Sequence, residues 1–391
     1  MTKYFVIRPF FFSRLFIARL TAFVACRERT LASPNFFDQK VQSANASPQH
    51  LEKFKLICLF FRFFVPLPPK MNEKHVIVSF ILTYYNQPLK MLRECINSIL
   101  ALSLRPYERE IIIIDDGSVL SPVNDLLCYG DDIIYVRQKN MGAGGARNMG
   151  LRIATGEYIQ FVDGDDMLNQ AAYEHCLDIV RYQHPDMVLY DFTNRTTHGS
   201  TFDDEEPMSG AEYMRRHNLR GSACCFIFQR AIIGTLRFST LTYHEDEEFT
   251  PQLMLHASTV IGTNAKAYVY RRHGGSITHK KGLRTKMKML IDNLQAIDNL
   301  QALSTTLPPS DLSAMQRRIN QLTMDYIYNI IVLTRSRHFL ERKLDALRRR
   351  GLFPLPDKNY TRKYKWFRRL TNSSAGRRIL LFFLPLLRRE R

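Results

Sequence analysis

The chain has 391 residues, 45% hydrophobic and 24% charged, an ordinary globular composition with room for one large core or two modest ones. Its formal net charge of +18 sits at the ends, since residues 1–70 hold 11 basic against 3 acidic side chains and residues 335–391 hold 18 against 4. The middle is slightly acidic, which argues against a nucleic-acid-binding protein, the class that basic ends alone would suggest.

Residues 1–70 are rich in Phe and Arg, in clusters such as Phe10-Phe11-Phe12 and Phe60-Phe61-Arg62-Phe63-Phe64, with no sustained helical or strand period. Neither cluster approaches the roughly 20 apolar residues a spanning helix needs. Met71 opens MNEKHVIVSFILTYYN, which reads as the natural beginning of a domain. The upstream stretch is then either a mispredicted or disordered extension or a basic membrane-binding leader.

From His75 the pattern is regular. Short apolar strands are expected over 76–82, 110–114, 132–136 and 158–162, alternating with helices over 89–102 and 144–154. Such alternation implies an α/β fold with a mostly parallel sheet covered by helices, a Rossmann-like nucleotide-binding half. Ligands in these sheets lie beyond the carboxyl ends of the strands, where Asp115-Asp116 and Asp163-Gly164-Asp165-Asp166 both fall. Three carboxylates packed so closely repel one another unless a cation or a donor network neutralises them. Hard oxygen donors suit Mg²⁺ or Mn²⁺; an isolated DGDD can equally be a solvated acidic turn.

Further strands are expected over 186–190 and 259–270, and helices over 210–217 and 249–255. Beyond a soft boundary near residue 282 the pattern is helical, over 287–303 and 311–350, until Pro354 and Pro356 interrupt it. The C-terminus reads RRILLFFLPLLRRER, an apolar run flanked by Arg377-Arg378 and Arg388-Arg389. It suits an interfacial helix at an anionic membrane face, with a final helix packed on the protein as the alternative. The domains expected are 1–70 (basic extension), 71–282 (catalytic) and 283–391 (helical extension with an amphipathic tail). The seven cysteines show no ligand spacing or CxxC pair, so neither metal nor disulfide chemistry is expected of them.

Four motifs occur in order. VSFILTYYN at 78–86, EIIIIDDGS at 110–118, NMGAGGARNMGLRIATGEYIQFVDGDD at 140–166 and HEDEEF at 244–249 together resemble the large inverting glycosyltransferase family 2 with the GT-A fold, in its bacterial branch that builds surface polysaccharides. The resemblance covers about half the chain. It implies a sugar transferred from a nucleotide-sugar donor, UDP-linked, to a hydroxyl of a glycan or lipid-linked acceptor, with Mn²⁺ or Mg²⁺ as cofactor. The C-terminal helices and basic tail would then keep the protein at the cytoplasmic face of the membrane, where lipid-linked acceptors are presented.

By the same resemblance, Thr83 stands where the family normally has proline, and its backbone with the ring of Tyr85 forms a wall for the base. Asp116 accepts from the base, Arg147 reaches the nucleotide or its diphosphate, Asp163 holds the ribose or a metal-bound water, and Asp165 is the principal metal ligand. Asp246 matches the general base, with Glu245 orienting it or touching the acceptor. Glu247 and Glu248 read as an ordinary solvated helix start. YRRHGGSIT at 270–278 resembles a segment that closes over the diphosphate, giving Arg271 or His273 a phosphate or metal contact. Rival readings are a nucleotidyltransferase, which needs no base placed like Asp246, and a catalytically inactive sugar-nucleotide-binding protein.

Overall fold

The structure, a computed structural model, describes residues 75–195, 201–272 and 282–387. The expectations for residues 1–70, His273 and Arg388-Arg389 lie outside the described residues.

Strand β1 (Val78–Tyr84) is buried along its whole length, as a central strand covered on both faces must be. It pairs in parallel with β2 (Arg109–Asp115) on one side and with β4 (Tyr158–Asp163) on the other. β3 (Ile133–Arg137) extends the sheet beyond β2. Helix α1 (Leu89–Leu100) turns Leu92, Cys95, Ile96 and Ile99 inward at the expected spacing. Helix α2 (Gly142–Ile153) packs on β1 and β2, and this close approach depends on Gly150. A Cβ there would stand 2.2 Å from Ile81 Cγ2.

After β4 come β5 (Met167–Leu168), α3 (Gln170–Gln183), β6 (Met187–Leu189), β7 (Phe192–Thr193), α4 (Gly210–Arg216), β8 (Phe226–Gln229), α5 (Glu245–His256), β9 (Val260–Gly262) and β10 (Tyr268–Val269). The main sheet has seven strands in the order β3-β2-β1-β4-β8-β6-β9; β5, β10 and β7 form a small second sheet. Strand β8 runs antiparallel to both neighbours, so the sheet is mostly but not wholly parallel. The expected α/β class is what the chain forms.

Three local expectations are corrected, and two elements are added. The strand expected over 259–270 is two strands in different sheets, because the chain leaves the β6 ladder after Thr263 and Asn264 turns to bond Asp203. Neither α3 nor β8 was expected. The helix expected over 249–255 begins at Glu245, which places the whole acidic motif in its first turn. The helix expected over 311–350 is α7 (Pro309–Thr334) and α8 (Arg337–Arg349), broken where Arg335 adopts a left-handed φ of 50°.

Helices α6 (Leu283–Ser304), α7, α8, α9 (Arg362–Asn372) and α10 (Ser374–Leu387) build a second core around Ile297, Leu300, Ile327, Ile330 and Leu344. Helix α10 is anchored on one side, by buried Leu380 and by Arg377, which donates to Glu341 at 2.7 Å and to the Thr371 carbonyl at 3.0 Å. Ile379, Phe382, Phe383 and Leu386 remain exposed. Among the described residues no helix is long and apolar enough to cross a membrane.

Phe161 ties the sheet to the site, being fully buried with Phe228, Phe238 and Phe249 at 5.8, 5.4 and 6.4 Å between ring centroids. Phe161→Ala is expected to lower the unfolding free energy in urea by about 3–5 kcal/mol. A loss under about 1 kcal/mol would mean that the neighbouring rings collapse into the gap.

Candidate active site

The strand order reverses between β1 and β4, and in a sheet of this kind the ligand crevice opens at that point, beyond the carboxyl ends of the strands. Thr83 and Asp163 are register partners there, and Thr83 Oγ1 donates to Asp163 Oδ1 at 3.0 Å. The Thr83 carbonyl also accepts from the amide of Gly164 at 2.9 Å. The chain thus turns tightly with threonine where the resemblance implies proline. Tyr85 follows with its side chain 47% exposed, available as a surface for a flat ligand.

The end of β2 is a polar knot. Asp115 accepts from the amide of Ser118 at 2.8 Å and from the Tyr135 hydroxyl at 2.7 Å, so it is structural. Asp116 is 4% exposed and accepts from Gln138 Nε2 at 2.7 Å and from the amides of Met141 and Gly142, each at 2.8 Å. A carboxylate from β2 therefore caps the start of α2. Among the described residues its Oδ2 accepts one bond, from Gly142, and a carboxylate oxygen has capacity for another donor.

In the acidic turn, Asp166 is buried and its carboxylate accepts from the Tyr268 hydroxyl and the amide of Arg271, each at 2.8 Å. Burial, reinforced by the nearby Asp163 charge, pushes its pKa up to about 8. The Arg271 guanidinium is occupied behind the turn, by the carbonyls of Asp165, Asp166 and Met91 and by Glu94. It staples the turn to α1 and does not reach for a phosphate in this conformation. Asp163 and Asp165 are half-buried at the crevice. No described residue bonds Asp163 Oδ2. Among the described residues no three His, Cys, Asp or Glu side chains converge as metal ligands. One or two half-exposed carboxylates nonetheless fit a hard cation that completes its shell with substrate phosphates and water.

Arg147 joins this turn to the next element. It is 5% exposed, donating to Asp163 Oδ1 at 3.1 Å and to Glu245 Oε1 at 2.9 Å, with its guanidinium over the Phe238 ring at 5.4 Å. Burial opposes its charge, but Asp163, Glu245 and Asp246 more than offset that and keep it protonated. It sits inside the protein as a bridge.

Helix α5 starts from His244, whose left-handed φ of 64° turns the chain into four successive carboxylates. Glu245 is tied to Arg147 of α2, Glu247 forms an ion pair with Arg318 of α7, and Glu248 accepts from Ser239 Oγ at 2.8 Å and Asn299 Nδ2 of α6 at 3.0 Å. Glu247 and Glu248 are therefore not a solvated helix start; each anchors the helix to a neighbour. Asp246 differs from the other three. Among the described residues its carboxylate accepts one hydrogen bond, from the amide of Glu247 in its own turn, at 2.8 Å. Burial raises its pKa to about 6, against the opposing pull of Arg147 and Arg318. Sequence reasoning missed Arg318, Asn299 and Phe238, none of which lies in a motif.

Comparison with known proteins gives a consistent result. The family model for glycosyl transferase family 2 matches residues 79–234. The chain is 27% identical over 272 residues to glycosyltransferase GlyG of Streptococcus pneumoniae serotype 4, covering 64% of this chain and 87% of that protein. It is 34% identical over 116 residues to the minor teichoic acid biosynthesis protein GgaB of Bacillus subtilis, covering 28% of this chain and 13% of that one. Among solved structures, S. aureus TarS 1–349 aligns with a TM-score of 0.53 at 19% identity, over 80% of this chain and 90% of that one, a likeness of fold.

The bridge can be tested by itself. Arg147→Met leaves the Glu245 carboxylate buried without its cation and is expected to destabilise the protein by about 3–5 kcal/mol in chemical denaturation. Arg147→Lys should recover only part of this, because one ammonium cannot span both carboxylates as a guanidinium fork does. A loss under about 1 kcal/mol for the Met variant would mean that Glu245, whose pKa burial already raises, simply takes up a proton.

Proposed function

Because the chain is a glycosyltransferase of the GT-A fold with a family 2 domain over residues 79–234, we propose that it is an inverting enzyme with Asp246 as its general base. The observation that carries this reading is the contrast within one helical turn: three carboxylates are tied to other elements, and Asp246 is not. A carboxyl group with a pKa of about 6 is ionised at neutral pH yet basic enough to take a proton in the transition state.

In the proposed reaction an acceptor hydroxyl gives its proton to Asp246 as its oxygen attacks the anomeric carbon of the donor sugar. The bond from that carbon to the diphosphate breaks with its electron pair staying on the nucleotide, and the configuration inverts. Tyr85 and Asp116 hold the base of a UDP-linked donor. Thr83 and Arg147 fix Asp163 beside the ribose and diphosphate. Asp165, together with the donor phosphates, would hold a Mg²⁺ or Mn²⁺ ion, whose charge would neutralise that of the leaving diphosphate. The likeness to GgaB, a teichoic acid biosynthesis protein, supports an acceptor in cell-surface glycan synthesis.

The test is turnover and donor binding in the same samples. Asp246→Asn should retain a thermal shift with UDP and Mn²⁺ while losing at least about 100-fold in kcat. Asp165→Ala should lose the manganese-dependent part of the shift. In the wild type, kcat/KM should fall as pH drops through about 6, because protonated Asp246 cannot accept the acceptor's proton. Full turnover by Asp246→Asn would move the base elsewhere, and diphosphate released from a nucleoside triphosphate would favour a nucleotidyltransferase.

We also propose that α10 docks on the cytoplasmic membrane face, where lipid-linked acceptors are presented. Support comes from exposed Ile379, Phe382, Phe383 and Leu386, beside exposed basic residues Arg362, Lys363, Arg369 and Arg378. Phe382→Ser with Phe383→Ser should abolish co-sedimentation with anionic phospholipid vesicles and leave turnover of a soluble acceptor intact. Unchanged co-sedimentation removes α10 from the contact.

A further inference from the structure

We propose that Arg318, in the helical extension, is a positioning residue for transfer: it clamps the first turn of α5, and hence Asp246, to the end of α4 and the loop that follows it, over 215–222. The proposal rests on reading Asp246 as the base.

Arg318 is 3% exposed. It pairs with Glu247, the residue after Asp246, and its Nη1 donates to the Leu219 carbonyl at 2.5 Å. One guanidinium therefore holds two segments that no backbone bond joins at this point. Neighbouring side chains of α7 grip the same loop: Gln321 Nε2 donates to the Leu219 carbonyl at 3.4 Å, and Arg317 donates to the Arg215 carbonyl and, at 3.3 Å, to Asn218 Oδ1. Glu247 reaches its partner across Gly221. A Cβ at that glycine would stand 1.9 Å from Glu247 Oε2, so the missing side chain is what gives the carboxylate its place. The Gly221 carbonyl in turn accepts from Thr250 Oγ1 of α5 at 3.2 Å.

A buried guanidinium is an expensive way to gain stability, since a packed apolar side chain often does as well. Burial brings the Arg318 pKa down to about 10, so it is still a cation at neutral pH. What the pair supplies is a fixed direction for the helix start. Arg147 restrains α5 from the donor side through Glu245, Arg318 from the extension side through Glu247, and Asp246 lies between the two contacts. The charged groups acting on Asp246 are Arg147 of α2, Asp163 of β4 and Arg318 of α7, besides the acids of its own turn; Arg318 also feels Asp325 on its own helix.

Two variants test the clamp by different routes. Arg318→Met removes the cation with little change in volume, and Gly221→Ala leaves Arg318 in place but pushes the Glu247 carboxylate off it. In both, amide hydrogen exchange over 245–250 should quicken, while the thermal shift with UDP and Mn²⁺ stays as in wild type. Turnover of the nucleotide sugar that wild type uses should fall in kcat, by up to about 100-fold, with donor KM held. In Arg318→Met the acid limb of kcat/KM should move to higher pH, since a cation near Asp246 has gone. Arg318→Lys should restore that limb but only part of kcat, having one ammonium for two partners. Unchanged exchange, or full kcat with loosened exchange, overturns the proposal. If Asp246→Asn turns over normally, the reading of the base fails and the clamp with it. If Asp246→Asn is dead while Arg318→Met and Gly221→Ala are fully active, the clamp alone fails.

Discussion

The active site depends on one buried guanidinium. Arg147 lies between Asp163, at the end of the central parallel strands, and Glu245, at the start of a helix almost 100 residues further on. Moving an ion of this kind out of water costs several kcal/mol, and the attraction repays it only when the geometry is good and both partners stay charged. The two ends are therefore held in one arrangement rather than a family of them. In the proposed reaction the donor diphosphate beside Asp163 and the base Asp246 need a fixed separation, and a rigid planar fork over the Phe238 ring meets that need in a way a flexible ammonium does not.

The same logic explains why α5 opens with four carboxylates. Adjacent acids repel, and the helix dipole alone offsets only part of that. Three external contacts, from α2, α6 and α7, convert a repulsive cluster into an anchored one. The remaining acid accepts within its own turn, from the amide of Glu247, and gains a raised pKa from its surroundings. Anchoring and the raised pKa are thus one arrangement: whatever buries and fixes the neighbours also desolvates Asp246.

Legibility from sequence followed the range of the interactions. β1, β2 and β4 were readable because a strand buried on both faces is an uninterrupted apolar run, and the acidic turns were readable because they end such runs. β8 was not readable: four residues, FIFQ, carry no period that separates strand from helix, and its antiparallel placement is decided by partners elsewhere in the chain. Helix α3 was legible in principle, with Ala172, Tyr173, Cys176, Leu177 and Val180 at helical spacing. In the site, sequence placed the acids but not their partners. Glu247 and Glu248 looked like solvent-facing acids because Arg318 and Asn299 stand in a region with no motif. Arg147 looked like a phosphate ligand because nothing local shows that two carboxylates close around it.

These pairings bear on the charge the site can accept. A nucleotide diphosphate is strongly anionic, and the crevice that would receive it presents Asp163, Asp165 and Asp246. Among the described residues, two arginines beside the acids are already committed: Arg147 to Asp163 and Glu245, Arg271 to Glu94 and backbone carbonyls. With these cations so engaged, positive charge that comes with the ligand would favour an anionic donor. Hard carboxylate oxygens and phosphate oxygens favour the same partner, a divalent cation of the Mg²⁺ or Mn²⁺ type. On this argument metal dependence would follow from how the arginines are used: with Arg147 and Arg271 committed to geometry, neutralisation of the donor would fall to an ion bound with it.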